Sequence, residues 1–280
     1  MAAYEGYHAV SVEVVDGIAT ATIDNGPVNL FDRTLYPDMV RLAGDLAADD
    51  EVRVVVLQSA NPAFFIAHFD VSLIQHIPTG MAMPTEMNDF HAMCEAFRTM
   101  PKATIAVIEG RVGGGGSELA LSCDMRFAAL PSEGRSGAVF NQPEVALGIL
   151  PGGSGTARLP RLVGRSRALE VILGCDDIDA ATAEAWGWVN RALPAHEVRP
   201  FVARLARRIA GFPPHAVAAA KASVLRAEKE VVPDLLAEAY AFNGTLGNDA
   251  TRHALQAFLD RGGQTVEGES RLGDLATELS

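Results

Sequence analysis

Apolar and polar positions alternate in the first part of the chain. The stretch HAVSVEVVDGIATATID alternates on both sides of Asp16-Gly17, which predicts a β-hairpin. Apolar residues then recur every three or four positions, which is typical of a helix with one buried face. That face carries Leu35, Met39, Leu42 and Leu46.

Strand-like and helix-like segments continue to alternate up to about residue 195. Continuous apolar runs predict buried strands over 52–60 (VRVVVLQSA), 103–110 (ATIAVIEG) and 125–130 (MRFAAL), and helical spacing predicts a helix over 85–99. Beyond that point the pattern is helical only, with two of three segments opened by proline. We therefore expect an α/β core over 1–195, a helical domain over 196–262 and a polar, flexible tail over 263–280.

Composition narrows the class of protein without naming an activity. The chain has 280 residues, 49% of them hydrophobic, and a net charge of −12, which disfavours binding to nucleic acid or to a membrane surface. No apolar run reaches the roughly 18–20 residues of a membrane span. Three separated cysteines are expected to be reduced thiols, and the histidines lack metal-ligand spacing. We expect a cytoplasmic protein without a metal site.

Four glycines follow the second predicted strand, in EGRVGGGGSELALSCD (109–124). The P-loop pattern fails because Ser-Glu follows Gly116, the dinucleotide pattern fails at Glu118, and no nucleophile elbow is present. Two interpretations stay open. The glycines allow tight helix–strand packing, or they let Gly115 present its backbone N–H to a developing oxyanion at the start of a helix.

Several segments, in this order along the chain, resemble those of the crotonase superfamily of enoyl-CoA hydratases and isomerases. They are FFIAHFDVSLI, GRVGGGGSELALSCDMRFAA, FNQPEVALGILPGGSGTARLPRLVG and AEAWGWVNRALP. The resemblance covers roughly residues 5–260. It implies an α/β fold, a crotonase-like spiral of ββα units with a C-terminal helical trimerisation domain, assembled as a homotrimer or a dimer of trimers.

The resemblance also implies a catalytic site. The backbone N–H groups of Phe69 and Gly115 would bind the carbonyl oxygen of an acyl-CoA thioester. Glu118 and Glu144 match two acidic residues, of which Glu144 would exchange a proton with the α-carbon and Glu118 would activate water. The resemblance therefore implies an enoyl-CoA hydratase that acts on trans-2-enoyl-CoA, with no cofactor besides the coenzyme A of the substrate. A double-bond isomerase, an acyl-CoA hydrolase and a non-catalytic acyl-CoA- or protein-binding member are the alternatives.

Further positions are implied to bind the substrate. The glycine at position 152 is a feature shared with the hydratases. Some relatives with other chemistry have an aspartate at the position of Gly152 or Gly153. Lys221 matches a lysine that meets the coenzyme A phosphates, although an ordinary surface lysine is an equal alternative. The full set of implied substrate contacts is Ala67, His68, Asp70, Gly114, Gly152, Asn29, Leu30 and Lys221, with Asn29 and Leu30 meeting the adenine through backbone atoms.

Two departures from the family pattern bear on this site. His68 and Phe69 stand where small residues are usual. We favour a packed or surface role for His68 over a third proton carrier or a gate, and Asp70 is predicted to cap the helix that follows. The segment 131–137 lengthens the run between Asp124 and Glu144, which would displace Glu144 or reshape the pocket.

Overall fold

The computed structural model describes residues 4–279. These residues form ten strands, and they are β1 (Val10–Val15), β2 (Ile18–Ile23), β3 (Val54–Ser59), β4 (Phe64–Ile66), β5 (Ala103–Ile108), β6 (Arg111–Gly113), β7 (Met125–Ala129), β8 (Val139–Asn141), β9 (Ile178–Asp179) and β10 (Arg191–Leu193). The helices are α1 (Leu35–Ala48), α2 (Val71–Ile74), α3 (Asp89–Thr99), α4 (Gly114–Ser122), α5 (Gly155–Val163), α6 (Arg165–Gly174), α7 (Ala180–Trp186), α8 (Ala195–Ala210), α9 (Pro214–Ala227), α10 (Val232–Leu246), α11 (Asp249–Asp260), α12 (Val266–Ser270) and α13 (Leu272–Thr277). None of these helices is long and apolar enough to cross a membrane.

The predicted hairpin is confirmed. β1 and β2 pair antiparallel from Val10 opposite Ile23 to Val15 opposite Ile18. Both turn residues, Asp16 and Gly17, have positive φ, as a two-residue hairpin turn requires. The predicted helix over 85–99 begins later, at Asp89, because the Asn88 side chain accepts a hydrogen bond from the backbone N–H of His91 and caps it there.

Successive strands enter two different sheets. The larger sheet has the order β1-β2-β3-β5-β7-β10, and all its pairs after β1–β2 are parallel. The smaller sheet has the order β4-β6-β8-β9. Three times along the chain, a strand of the larger sheet is followed directly by a strand of the smaller sheet. These successions are β3–β4, β5–β6 and β7–β8. This repetition, closed by helices, is the predicted spiral of ββα units.

Apolar side chains of several elements cover the sheets. The face of α8 with Val198, Val202 and Ala206 packs on the larger sheet. Another buried cluster joins the C-terminal helices to the loops that build the site described below, and it contains Ile74, Leu147, Leu255, Phe258 and Leu275. The helical C-terminal region is therefore part of the walls of that site.

The prediction of a flexible tail over 263–280 is wrong for the described residues. Positions 266–270 and 272–277 are helical, and Leu272 and Leu275 are buried against Val71 and Leu147. Two short helices supply too few apolar positions to produce a clear periodic signal, which is why the sequence suggested a frayed end. Ser280 lies outside the described residues.

Candidate active site

The glycine run joins β6 to α4, and its members have different roles. A Cβ atom at Gly116 would lie 2.3 Å from the carbonyl oxygen of Ile66, and one at Gly113 would lie 2.7 Å from that of Ala67. These two glycines permit close helix–strand packing. Gly114 has a φ of +43°, which favours glycine. Gly115 lies in the first helical turn, where backbone N–H groups have no partner within the helix, and it lines a cavity.

Phe69 lines the same cavity. A parallel bridge holds its backbone, in which the Phe31 N–H donates to the His68 carbonyl at 3.0 Å and the Asp70 N–H donates to the Phe31 carbonyl at 3.1 Å. The N–H of Phe69 therefore faces away from Phe31. It has no acceptor among residues 4–279. The two predicted oxyanion donors, on Phe69 and Gly115, open onto one space.

The cavity has a volume of about 720 Å³ and is largely apolar. Both predicted acidic residues line it, together with the two donor residues. Its apolar walls come mainly from α2, the segment 77–87, the turn after Glu144 and the C-terminal helices, and they include Ile74, Ile77, Leu147, Ile149, Phe242 and Phe258. The irregular segment 75–88 is fastened to α10, because Asn243 accepts from the Met81 N–H and donates to the Pro78 carbonyl.

Glu118 is held by the start of α5. Its Oε1 accepts the N–H groups of Gly153 and Gly155, both at 2.8 Å, and the residue is only 3% exposed. A Cβ atom at Gly153 would lie 2.3 Å from Glu118 Oε2, and one at Gly152 would lie 2.6 Å from the Phe242 ring. Any side chain at Gly153 would therefore collide with the buried carboxyl group. The N-terminus of α5 is directed at the site, where its partial positive charge faces the Glu118 carboxyl group.

Glu144 begins a short 3-10 turn after β8 and is 9% exposed. When the Gln142 amide is turned so that its nitrogen faces Glu144, the orientation that satisfies both groups, it donates to the two carboxylate oxygens at 3.0 and 3.1 Å. The extra segment 131–137 does not displace Glu144. Ser132 and Arg135 close that segment into a small turn, and the Ala138 N–H bonds to the Ala129 carbonyl at its base, so the turn projects from the surface.

Burial shifts the acidity of both glutamates. Burial raises the pKa of Glu144 to about 8, with the negative charge of Glu238 adding to the rise and the His68 cation opposing it. Burial also raises the pKa of Glu118 well above its usual value, and repulsion from Glu144 and Glu238 adds to this, against the two backbone N–H donors. Because the groups interact, their protons are lost in steps that belong to the pair and not to either residue alone.

Glu238, which the sequence analysis did not single out, occupies the other side of the α5 N-terminus. Its carboxylate accepts from the backbone N–H groups of Ser154 at 2.6 Å and Thr156 at 2.9 Å. It lies on α10 at a position spaced three residues after Leu235, on the buried face of that helix. An acidic residue on an apolar helical face was the available signal.

His68 is buried and paired, in agreement with the favoured interpretation. Its Nε2 lies 2.9 Å from Glu269 Oε1, and its Nδ1 lies 2.7 Å from the carbonyl oxygen of Phe69. Burial by itself lowers the pKa of His68, but the Glu269 carboxylate and the bond to Phe69 outweigh it and raise the pKa to about 9. The Ala67 residue before it is fully buried and donates its N–H to Val28.

The helix-capping prediction for Asp70 is confirmed, because its Oδ1 accepts from the Ser72 N–H at 2.9 Å at the start of α2. The structure does not bring Asn29, Leu30 or Lys221 to the cavity. The buried Asn29 side chain donates to Ser59 and to the carbonyls of the neighbouring strand β4, and the Leu30 carbonyl already accepts two hydrogen bonds.

Lys221 has a structural environment in its own chain. Its Nζ lies 2.9 Å from Asp124 Oδ2 and donates to the carbonyl of Lys102 at 2.8 Å and to that of Phe97 at 3.4 Å. The three ammonium hydrogens are therefore occupied. In this arrangement the Lys221 ammonium group finds its partners within its own chain, and its implied contact with a phosphate stays a prediction.

Comparisons with known proteins identify the family. The family model described as enoyl-CoA hydratase/isomerase matches residues 13–268. The short-chain-enoyl-CoA hydratase of Clostridium acetobutylicum is 31% identical over 263 residues, covering 92% of this chain and 97% of that protein. The crotonyl-CoA hydratase of Syntrophomonas wolfei is 34% identical over 218 residues, covering 76% of this chain and 80% of that protein.

Solved structures give the same result. A candidate enoyl-CoA hydratase from Streptomyces avermitilis superposes with a TM-score of 0.87 at 37% identity, covering 98% of this chain and 99% of that chain. An enoyl-CoA hydratase from Mycobacterium avium subsp. paratuberculosis superposes with a TM-score of 0.78 at 25% identity. The predicted crotonase fold is thereby confirmed, and the chain belongs to the enoyl-CoA hydratase/isomerase family of the crotonase superfamily.

Proposed function

We propose that the protein is an enoyl-CoA hydratase that adds water across the C2=C3 bond of a trans-2-enoyl-CoA thioester. The observation that carries this proposal is the meeting of four groups in one cavity: the backbone N–H groups of Phe69 and Gly115, and the buried carboxyl groups of Glu118 and Glu144. Two donors suit an oxygen that gains negative charge, and two carboxyl groups suit a reaction with two proton transfers.

The proposed reaction starts and ends with one proton on the glutamate pair. The thioester oxygen accepts negative charge while it is hydrogen-bonded to Phe69 and Gly115, which makes C3 electrophilic. Water loses a proton to the pair as its oxygen bonds to C3, and the proton that the pair held moves to C2. The thioester supplies the activation, so the proposed reaction requires no metal ion or redox cofactor. Coenzyme A enters as part of the substrate.

We assign the proton at C2 mainly to Glu144 and the water mainly to Glu118. The two N–H donors and the helix dipole at Glu118 Oε1 offset part of the rise in its pKa that burial causes, which supports its assignment as the base. The amide donor of Gln142 lies against Glu144. Since the two groups share a proton, this assignment describes where each acts on the substrate and not two separate titrations.

The retention of both acids favours the hydratase over the alternatives. A double-bond isomerase needs one carboxyl group that moves a proton between carbons, so a second buried acid at high pKa would serve no purpose. The same argument disfavours a non-catalytic acyl-CoA- or protein-binding member, because an unused buried carboxyl group costs stability. A hydrolase would direct water to the thioester carbon and release free coenzyme A.

We further propose how the remainder of the substrate binds. Arg33 lines the cavity and is exposed to solvent, which suits a contact with the coenzyme A phosphates. The exposed apolar residues Leu169 and Leu173 on α6 and Val224 on α9 suit burial between subunits, in support of a homotrimer or a dimer of trimers. Reduced, buried cysteines suit the cytoplasm.

The test follows loss of the conjugated-thioester absorbance with trans-2-enoyl-CoA substrates, and product mass identifies the reaction. We expect rapid hydration by the parent and a fall in kcat of about 10²–10⁴ in Glu118→Gln and Glu144→Gln. Glu184→Gln, which neutralises an exposed glutamate on α7, is the matched control. Isomerisation would change the absorbance without the mass of water, and hydrolysis would release free thiol. Either result, or no turnover with any chain length, contradicts the proposal.

A further inference from the structure

A buried ion pair connects the last helices of the chain to the oxyanion loop. His68 and Glu269 are 201 positions apart, their side chains are 6% and 0% exposed, and Nε2 lies 2.9 Å from Oε1. Glu269 belongs to α12, one residue beyond the stretch that the family model matches. The pair therefore joins the C-terminal segment to the loop that carries Phe69.

Both ring nitrogens of His68 face oxygen atoms that can only accept. One is the Glu269 carboxylate, and the other is the Phe69 carbonyl at 2.7 Å. Each nitrogen must then carry a hydrogen, which makes the ring an imidazolium. A ring with both nitrogens occupied in this way has no free site for a proton, so His68 does not act as a third proton carrier.

The segment around Glu269 also holds the residues that follow Phe69. The Gln264 N–H donates to Glu269 Oε1 at 2.7 Å. The Gln264 side chain accepts from the Val71 N–H at 2.8 Å and donates to Asp70 Oδ1 at 3.0 Å. These bonds fix the loop on the side away from Phe31.

The charges around the pair come from three elements. Glu269 lies on α12, Glu144 on the 3-10 turn after β8, and Arg111 on β6. Arg111 forms a bidentate pair with Asp177 and donates to the Ser270 carbonyl, which holds α12 in place. The positive charge of the His68 imidazolium is thus balanced by the carboxylate of Glu269. The same positive charge also acts on Glu144 at the cavity.

We propose that Glu269 is a positioning residue for the hydration: it keeps His68 cationic and, through the His68 hydrogen bond to the Phe69 carbonyl, fixes the backbone of Phe69, whose N–H meets the thioester oxygen. The inference rests on the proposed function. The cation next to the oxyanion donors also favours negative charge on the oxygen, and it stabilises the ionised form of Glu144.

Glu269→Gln removes the negative charge that faces His68 and keeps the size of the side chain, because the amide oxygen still accepts from the Gln264 N–H. We expect kcat to fall by about tenfold or more, with KM changed by less than about twofold. The pH profile of kcat/KM moves to higher pH, because loss of the cation raises the pKa of Glu144. Glu267→Gln, an exposed neighbour on α12, is the matched control and keeps the parent values.

A second measurement does not depend on turnover. In the parent labelled with 15N-histidine, NMR should show the His68 ring doubly protonated above neutral pH, assigned by its absence in His68→Gln, and Glu269→Gln should lose this signal near neutral pH. A neutral His68 ring in the parent overturns the inference. So does a variant that loses the cation but keeps the parent's kcat and pH profile. If the parent turns over no enoyl-CoA, the proposed function fails and the catalytic role of Glu269 fails with it, while the NMR result still reports the ion pair.

Discussion

Glu118 and Glu238 share the N-terminus of α5. The carboxyl group of Glu118 accepts the N–H groups of Gly153 and Gly155, and that of Glu238 accepts those of Ser154 and Thr156. Ser154 has a φ of 108°, a conformation that a serine rarely adopts and that this double anchoring holds. The turn before α5 therefore depends on two acids from different parts of the chain, and it fixes the carboxyl group that we assign to water.

Gly153→Ala tests this dependence. The added Cβ would lie 2.3 Å from Glu118 Oε2 and 2.4 Å from the Phe90 ring, so the carboxyl group or the turn must move. We expect kcat with an enoyl-CoA substrate to fall by about 10² or more, because the displaced acid no longer meets the water. Steady-state kinetics measure the change.

Gly174→Ala is the control, because a Cβ there meets no atom within 4 Å. It should keep the parent's kcat and thermal stability. A Gly153→Ala enzyme with the parent's kcat would mean that the position of Glu118 is not critical to the reaction.

The roles of the glycines at 113–116 could be predicted only in part from the sequence. Tight packing and backbone donation were both open from the sequence, and the structure assigns packing to Gly113 and Gly116 and places Gly115 in the cavity. Periodicity predicted the hairpin and the long helices because each has a continuous face. It did not reveal what Glu238 and Glu269 contact, because contacts between residues far apart in sequence leave no periodic signal. The resemblance supplied the two site glutamates, but only geometry showed that they are buried and share one cavity.

The stability of Glu144→Gln relative to the parent should increase as the pH rises. The pKa of Glu144 is raised from 4.5 to about 8 in the folded protein. Between these two values the folded protein keeps a proton on Glu144 that the unfolded chain has released. The parent's stability therefore declines between these two pKa values, by at most about 1.4 kcal/mol per pH unit. The amide has no such cost, so the variant's advantage grows through this window and levels off above about pH 8.

Thermal unfolding of parent and variant across this pH range measures the effect. His68 contributes in the same direction in both proteins, because its stabilisation is present below its usual pKa and is lost as pH rises through about 9. The difference between the two proteins reports the Glu144 carboxyl group together with its interactions with Glu118 and His68. A difference that shrinks as pH rises would contradict the raised pKa.

The apolar cavity leads us to expect a preference for enoyl chains longer than the crotonyl group. Ile74, Ile77, Leu147 and Phe258 line a space of about 720 Å³. Each additional buried methylene is worth up to about 0.8 kcal/mol. We expect kcat/KM to rise by up to about fourfold per methylene until the cavity is filled, as measured over a series from crotonyl-CoA to dodecenoyl-CoA.

Ile77→Trp provides the internal test, since residue 77 lines the cavity from an irregular segment that is only partly buried. The larger ring should lower kcat/KM for the longest substrates and leave that for crotonyl-CoA within about twofold. If the parent prefers crotonyl-CoA to every longer chain, the acyl group does not use this space.

Lys221 and Arg33 should behave in opposite ways toward coenzyme A. Lys221→Met removes the bond to Asp124 and leaves the Lys102 carbonyl without its donor, so we expect a loss of about 1–3 kcal/mol of stability and an unchanged KM. Arg33→Met should raise KM with little effect on thermal unfolding, because the side chain is exposed at the cavity. Lys229→Met, at another exposed position, is the control. A tenfold or greater rise in KM for Lys221→Met at unchanged stability would restore the phosphate contact that the resemblance implied, and it would place that lysine at the substrate despite its partners within the chain.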